Sequence, residues 1–93
     1  MTFRWTPTAL RDLESVHAYN CQDNARAADA AVERILPGIK ALSQRPEMGR
    51  IGRVPATREL VLSPLVIAYR LRRGTLEILA IIHGARRWPD NFK

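Results

Sequence analysis

The sequence predicts an α+β fold: an N-terminal strand, an antiparallel helical hairpin, then a three-stranded antiparallel meander. Three observations carry that expectation. Apolar residues recur at helical spacing through two segments of the first half, the spacing changes to two after about residue 57, and turn signals Ser63-Pro64 and Arg73-Gly74 divide the later region into three runs.

Phe3 to Trp5 reads as a short strand closed by Thr6 and Pro7. Thr6 is placed to cap the following helix, with Pro7 at its first position, where a missing N–H costs nothing. In TALRDLESVHAYN, Leu10, Leu13 and Val16 share one face, so the first helix is expected to end near Asn20, with Asn20 to Asn24 as a connection. The second helix is expected from Asn24 to about Gln44, with Ala28, Ala31, Val32, Ile35, Ile39 and Leu42 along one stripe. Pro37 interrupts that stripe without changing its phase, which predicts a kink near Glu33 to Pro37 rather than a break.

RPEMGRIGRVPA, Arg45 to Ala56, has the composition of a loop. The runs TRELVLS, LVIAYRLR and TLEILAIIH follow as strands on tight turns. Alternation assigns Leu65, Ile67, Tyr69 and Leu71, together with Leu76, Ile78, Ala80 and Ile82, to the face against the helices. Val66, Ala68, Arg70, Glu77, Leu79, Ile81 and His83 are then expected opposite, where no remaining element covers them. An uncovered apolar strip rimmed by arginines has the character of a partner surface.

The 93 residues are expected to form one domain, 1–93, with a small core. The single cysteine, Cys21, excludes an internal disulfide, and two histidines, His17 and His83, do not make a transition-metal site. No cofactor or metal is expected. The N-terminus lacks the apolar run of a leader and no stretch is long enough to span a bilayer, so a cytoplasmic protein without a membrane partner is expected. Net charge is +6, and it belongs to the second half. Residues 1–44 carry five bases and five acids, while residues 45–93 carry ten bases against four acids. Such an arginine-rich half suits nucleic acid or an acidic protein partner.

The succession of strand, helical hairpin, Pro/Gly-rich loop, TRELV, VIAYRLR and LEILAIIHGARRWP resembles the RelE/ParE superfamily of toxins from type II toxin–antitoxin systems. The resemblance covers nearly the whole chain and is most specific at Arg58-Glu59-Leu60, Tyr69-Arg70 and His83-Gly84-Ala85-Arg86. It implies a RelE/ParE-like fold and a cognate antitoxin, ParD-like or related, with an acidic C-terminal segment. Homodimers, or heterotetramers with the antitoxin, are the assemblies it suggests.

The two branches of that superfamily differ in chemistry. RelE-like members cleave mRNA on the ribosome, which requires a proton acceptor, a proton donor and cations around the phosphorane. Here such a set would be Arg58, Glu59, His83 and Arg86. The basic residue that RelE-like toxins carry in the second meander strand falls at Val66, and their C-terminal tyrosine has no counterpart in RRWPDNFK. The REL and HGARRWP segments instead resemble ParE-like members, which inhibit DNA gyrase by protein contact and need no catalytic residue. On that favoured reading Arg58, Val66, Ala68, Arg70, Leu79, Ile81 and Arg86 meet the antitoxin, and Arg86, Arg87 and Trp88 meet the target. A ribosome-dependent endoribonuclease is the alternative. Apart from these roles, Glu59 is expected to pair with a neighbouring strand, Tyr69 to pack in the core, and His83 to shape the strand end.

Overall fold

A computed structural model describes the backbone of residues 2–23, 25–62 and 65–83, and side chains within 2–16, 33–62 and 65–82. Strand β1 (Thr2–Trp5) leads into helix α1 (Pro7–Asp23) and helix α2 (Ala25–Gln44). A 3-10 turn (Pro46–Met48) and a two-residue strand β2 (Arg50–Ile51) precede the meander of β3 (Arg58–Leu62), β4 (Leu65–Arg72) and β5 (Thr75–His83). The strands form one sheet in the order β1-β5-β4-β3-β2.

Helix α1 begins as its sequence dictates. Thr6 accepts a hydrogen bond from the Ala9 N–H at its hydroxyl (3.2 Å) and from the Leu10 N–H at its carbonyl (3.0 Å), so it is the N-cap, with Pro7 inside the first turn. The helix then runs through Asp23, one turn beyond the expected exit at Asn20. Helix α2 continues without interruption past Pro37. Its stripe seats Ile35, Ile39 and Leu42 in the core against Leu60, Ile67, Tyr69, Leu76 and Ile78. The side chains of Ala28, Ala31 and Val32, like those of His17 and Cys21, lie outside the described residues.

The meander is antiparallel throughout, from Leu62 opposite Leu65 to Arg72 opposite Thr75. The Ser63-Pro64 turn itself lies outside the described residues. At the second turn Arg73 and Gly74 both have positive φ (53° and 77°), as a two-residue type I′ hairpin loop requires.

Three features depart from the sequence expectation. The supposed loop 45–56 contains β2, which pairs with β3 through Arg50 opposite Glu59 and Ile51 opposite Arg58. Strand β1 pairs in parallel with β5, Thr2 beside Thr75 through Trp5 beside Ile78, so the first strand is an edge of the sheet built by the last. Finally, β5 bulges: Ala68 faces Ala80 while Tyr69 faces Ile78, which leaves Leu79 as an extra residue.

The bulge reverses the facing of everything after it. Ile81 joins Leu76 and Ile78 in the core under the helices, whereas Ala80 and Ile82 lie with Leu79 and Ala68 on the other side. Strict alternation had put Ile81 opposite, and Ala80 and Ile82 inward. The opposite face is no open apolar strip either, because Val66, Ala68 and Leu79 are each exposed by 5% or less. Those residues are buried within the chain itself.

Beyond Ile78, no described strand flanks β5 on its β1 side, and α1 takes over that edge. The Thr6 hydroxyl donates to the Ile78 carbonyl at 2.9 Å, with the Leu79 carbonyl 3.2 Å away. Asp12 accepts the Ile81 N–H at 3.0 Å. Backbone groups released by the bulge are therefore satisfied by helix side chains.

Candidate binding face and its two carboxylate clamps

Glu59 stands on β3 with Ala68 and Ala80 across the sheet, on the face away from the helices. It is 2% exposed. Arg50 reaches it from β2, donating through Nε (3.0 Å) and Nη2 (2.9 Å) to Oε1. Its Oε2 accepts the Arg53 N–H at 2.8 Å, with the Arg53 Nε 3.4 Å away. Burial alone would raise the carboxyl pKa, but the Arg53 N–H and the two guanidiniums outweigh it and hold Glu59 below the usual 4.5. It is a committed anion whose lone pairs are occupied, a poor proton acceptor at neutral pH. The expected ion pair with a neighbouring strand is thus present, and it also anchors the β2–β3 connection.

Arg58 points to the other side. Its Nη1 donates to the Gly49 carbonyl (2.8 Å) and the Glu47 carbonyl (3.2 Å), stitching β3 to the 3-10 turn. Tyr69 supports the same segment from the core: its hydroxyl donates to the Pro46 carbonyl (2.6 Å) and accepts the Gly49 N–H (2.9 Å). Burial pushes the phenol pKa up. Gly49 permits this approach, since a Cβ there would overlap the tyrosine hydroxyl and come within 2.9 Å of the Glu59 carbonyl. Arg58 and Glu59, adjacent in sequence, therefore serve opposite faces and do not converge on one substrate position.

A second clamp lies nearer the β4–β5 turn. Glu77, 6% exposed, receives Arg4 Nη1 on Oε2 and Arg70 Nε on Oε1, each at 2.6 Å. The Arg70 hydrogen bond is the main cause that holds its carboxyl below the ordinary value, against a smaller opposing effect of burial. Nothing in the linear pattern marked Arg4 as a partner of Glu77, because the parallel pairing of β1 with β5 brings them together across 73 positions.

Of the residues expected at functional sites, Val66, Ala68, Leu79 and Ile81 are core, and Arg58, Glu59 and Arg70 make the contacts above. His83 closes β5 opposite Leu65, its side chain outside the described residues. Arg86, Arg87 and Trp88 also fall outside them. Among the described residues no group of three or more His, Cys, Asp or Glu side chains could hold a metal ion, and no helix is long and apolar enough to cross a membrane.

A five-stranded sheet backed by a helical hairpin and carrying two internal ion clusters describes a small α+β protein, and comparison with known proteins is specific about its family. Residues 3–88 match the family described as ParE toxin of type II toxin-antitoxin system, parDE. Y4kP of Sinorhizobium fredii (strain NBRC 101917 / NGR234) is 44% identical over 89 residues, covering 94% of this chain and 92% of that protein. Toxin RelE2 of Caulobacter vibrioides is 33% identical over 82 residues, covering 88% and 93%. Among solved structures, a chain of the chromosomal ParDE TA system from P. aeruginosa superposes with a TM-score of 0.81 at 28% identity, covering 89% of this chain and 95% of that one. The chain belongs to the ParE toxin family of type II toxin–antitoxin systems.

Proposed function

We propose that this toxin inhibits DNA gyrase by protein contact, and that a cognate antitoxin with an acidic segment neutralises it. The observation that carries the reading is the state of Glu59. A general base needs a free lone pair and a pKa near the working pH, whereas this carboxylate is buried, held low and fully engaged by Arg50 and Arg53. Arg58 is likewise spent on backbone carbonyls, and at Val66 an apolar, buried side chain takes the place of a cation. A protein that works by contact needs none of these groups for chemistry. Arg86, Arg87 and Trp88 are the proposed target edge, and Arg70 is the proposed antitoxin contact on the described surface. Of the other residues expected at that contact, Val66, Ala68 and Leu79 are buried on the same face as Arg70, and Ile81 lies in the core under the helices.

The test is gyrase supercoiling with purified toxin. Inhibition, or accumulation of cleaved DNA, is expected, and it should be relieved by the antitoxin; undiminished supercoiling at saturating toxin would refute the reading. Primer extension on translating ribosomes addresses the ribonuclease alternative, for which an A-site cut lost in E59Q is the required result.

A further inference from the structure

Both clamps stand on the sheet face away from the helices. Glu59 pairs with Ala68 on β4, Arg70 lies two residues further along that strand, and Glu77 and Arg4 follow in register on β5 and β1. Arg72 comes next on β4 on the same face, exposed and without an ion pair to any described residue. In each clamp the acid lies at the bottom and the bases lie on top. The side chains of Glu59 and Glu77 are exposed by 2% and 8%, whereas those of Arg50, Arg53 and Arg4 remain exposed by 56%, 47% and 55%. A ligand that approaches this face meets cations, because Arg4, Arg50, Arg53, Arg70 and Arg72 outnumber two carboxylates that are themselves buried.

We propose that this arginine track binds the phosphate backbone of duplex DNA, an activity that goes beyond the gyrase reading and does not rest on it. Neighbouring strands lie about 4.8 Å apart, so the track from β2 to β1 crosses about 19 Å of sheet. A duplex carries one phosphate charge per about 1.7 Å of its axis, which brings several phosphates within reach. Glu77 takes one nitrogen from each of Arg4 and Arg70, and Glu59 takes Nε and Nη2 of Arg50. These long side chains are thus held in place before a ligand arrives, which removes part of the ordering cost of binding. Arg4 and Arg70 keep further N–H donors, and the guanidinium fork fits phosphate oxygens.

Two features of the described residues favour duplex DNA over other polyanions. The exposed apolar residues Phe3 and Leu71 flank Leu76 in register and lie on the helix side, as does Ile51 opposite Arg58. That leaves Val61 as the large apolar side chain exposed on the arginine face among the described residues, so an amphipathic acidic peptide has little to bury there. Aromatic rings are also turned away: Trp5 and Tyr69 pack in the core and Phe3 lies on the other side. The described face therefore offers no platform on which the bases of single-stranded RNA could stack. Charge alone remains, and it suits a backbone that presents charge at regular spacing.

The experiment is fluorescence anisotropy of the full-length toxin with a labelled mixed-sequence duplex of about 20 base pairs, at salt from about 50 to 200 mM. R4Q/R72Q keeps the Arg70–Glu77 pair, and R11Q/K40Q removes the same charge from the helices, so each should retain the wild-type thermal transition. We expect R4Q/R72Q to bind about tenfold more weakly, with a log–log salt slope shallower by about two, and R11Q/K40Q to stay within about twofold of wild type. R72E alters only a residue without an ion pair and should weaken binding as well; unchanged duplex affinity in it overturns the proposal. So does a wild-type toxin that fails to bind the duplex at the lowest salt, or an equal loss in R4Q/R72Q and R11Q/K40Q, which assigns binding to net charge. Tighter binding of a single-stranded RNA of equal length, or competition by polyglutamate as effective as by unlabelled duplex, overturns it too. Duplex binding with the expected pattern but undiminished gyrase supercoiling supports the proposal and refutes the gyrase reading alone.

Discussion

Glu59 and Glu77 make the stability of this basic protein depend on its few acids. Both carboxyls are held below the usual 4.5 in the folded chain, so each contributes stability that is fully present above that value and is lost as pH falls through the lower folded value. Urea midpoints should decline below about pH 4.5, and the decline should be shallower in E59Q/E77Q, whose amides do not titrate. Equal slopes in the two proteins would show that other groups govern acid unfolding. Tyr69 offers a second residue-scale measurement. Removing its hydroxyl strands the Pro46 carbonyl and the Gly49 N–H in a buried place, so Y69F should cost about 1–3 kcal/mol in denaturant titration, and a loss under half a kilocalorie would mean that water replaces the hydroxyl. The sequence identified Tyr69 as core and Glu59 as an ion-pair residue, because alternation around them is clean. It could not show Gly49 as the close-approach partner, since 20 positions separate it from the tyrosine.

At the scale of elements, local signals were legible and long-range ones were not. Thr6-Pro7 and Arg73-Gly74 announce their structures within two residues, and both behave as their chemistry requires. Thr6 has a second duty at the β5 edge, so T6A should lose more than the ~1 kcal/mol of an ordinary cap, while T6S restores most of it; equal losses in the two would assign the effect to the methyl group. Arg73 occupies a left-handed conformation that asparagine tolerates better, so R73N, which creates Asn-Gly, should raise stability by about 0.5 kcal/mol. Thermal unfolding of that single variant decides the matter. The bulge at Leu79 was hidden for a definite reason. ILAII is apolar at every position, so no polar residue marks which face is which, and a one-residue slip leaves no trace in the pattern. Strand β2 was missed because two residues between glycines and prolines carry no period at all.

For the molecule as a whole, the order of strands matters more than their number. The parallel partnership of β1 with β5 joins the two ends of the described chain, and Trp5 packs against the central core. Deleting residues 1–5 should therefore abolish the cooperative transition rather than trim a dispensable end; a truncated chain that still melts sharply would show that α1 alone seals the edge. The meander follows from the sequence, but the place of β1 does not, because an isolated four-residue strand can border any sheet edge. That placement has a consequence during synthesis. β1 is made before the other described elements, yet its pairing partner is the last of them, so every element between must be made before β1 can join the sheet. Over that interval Arg4 waits without Glu77. The clamp they form with Arg70 comes into being only once β5 has been made.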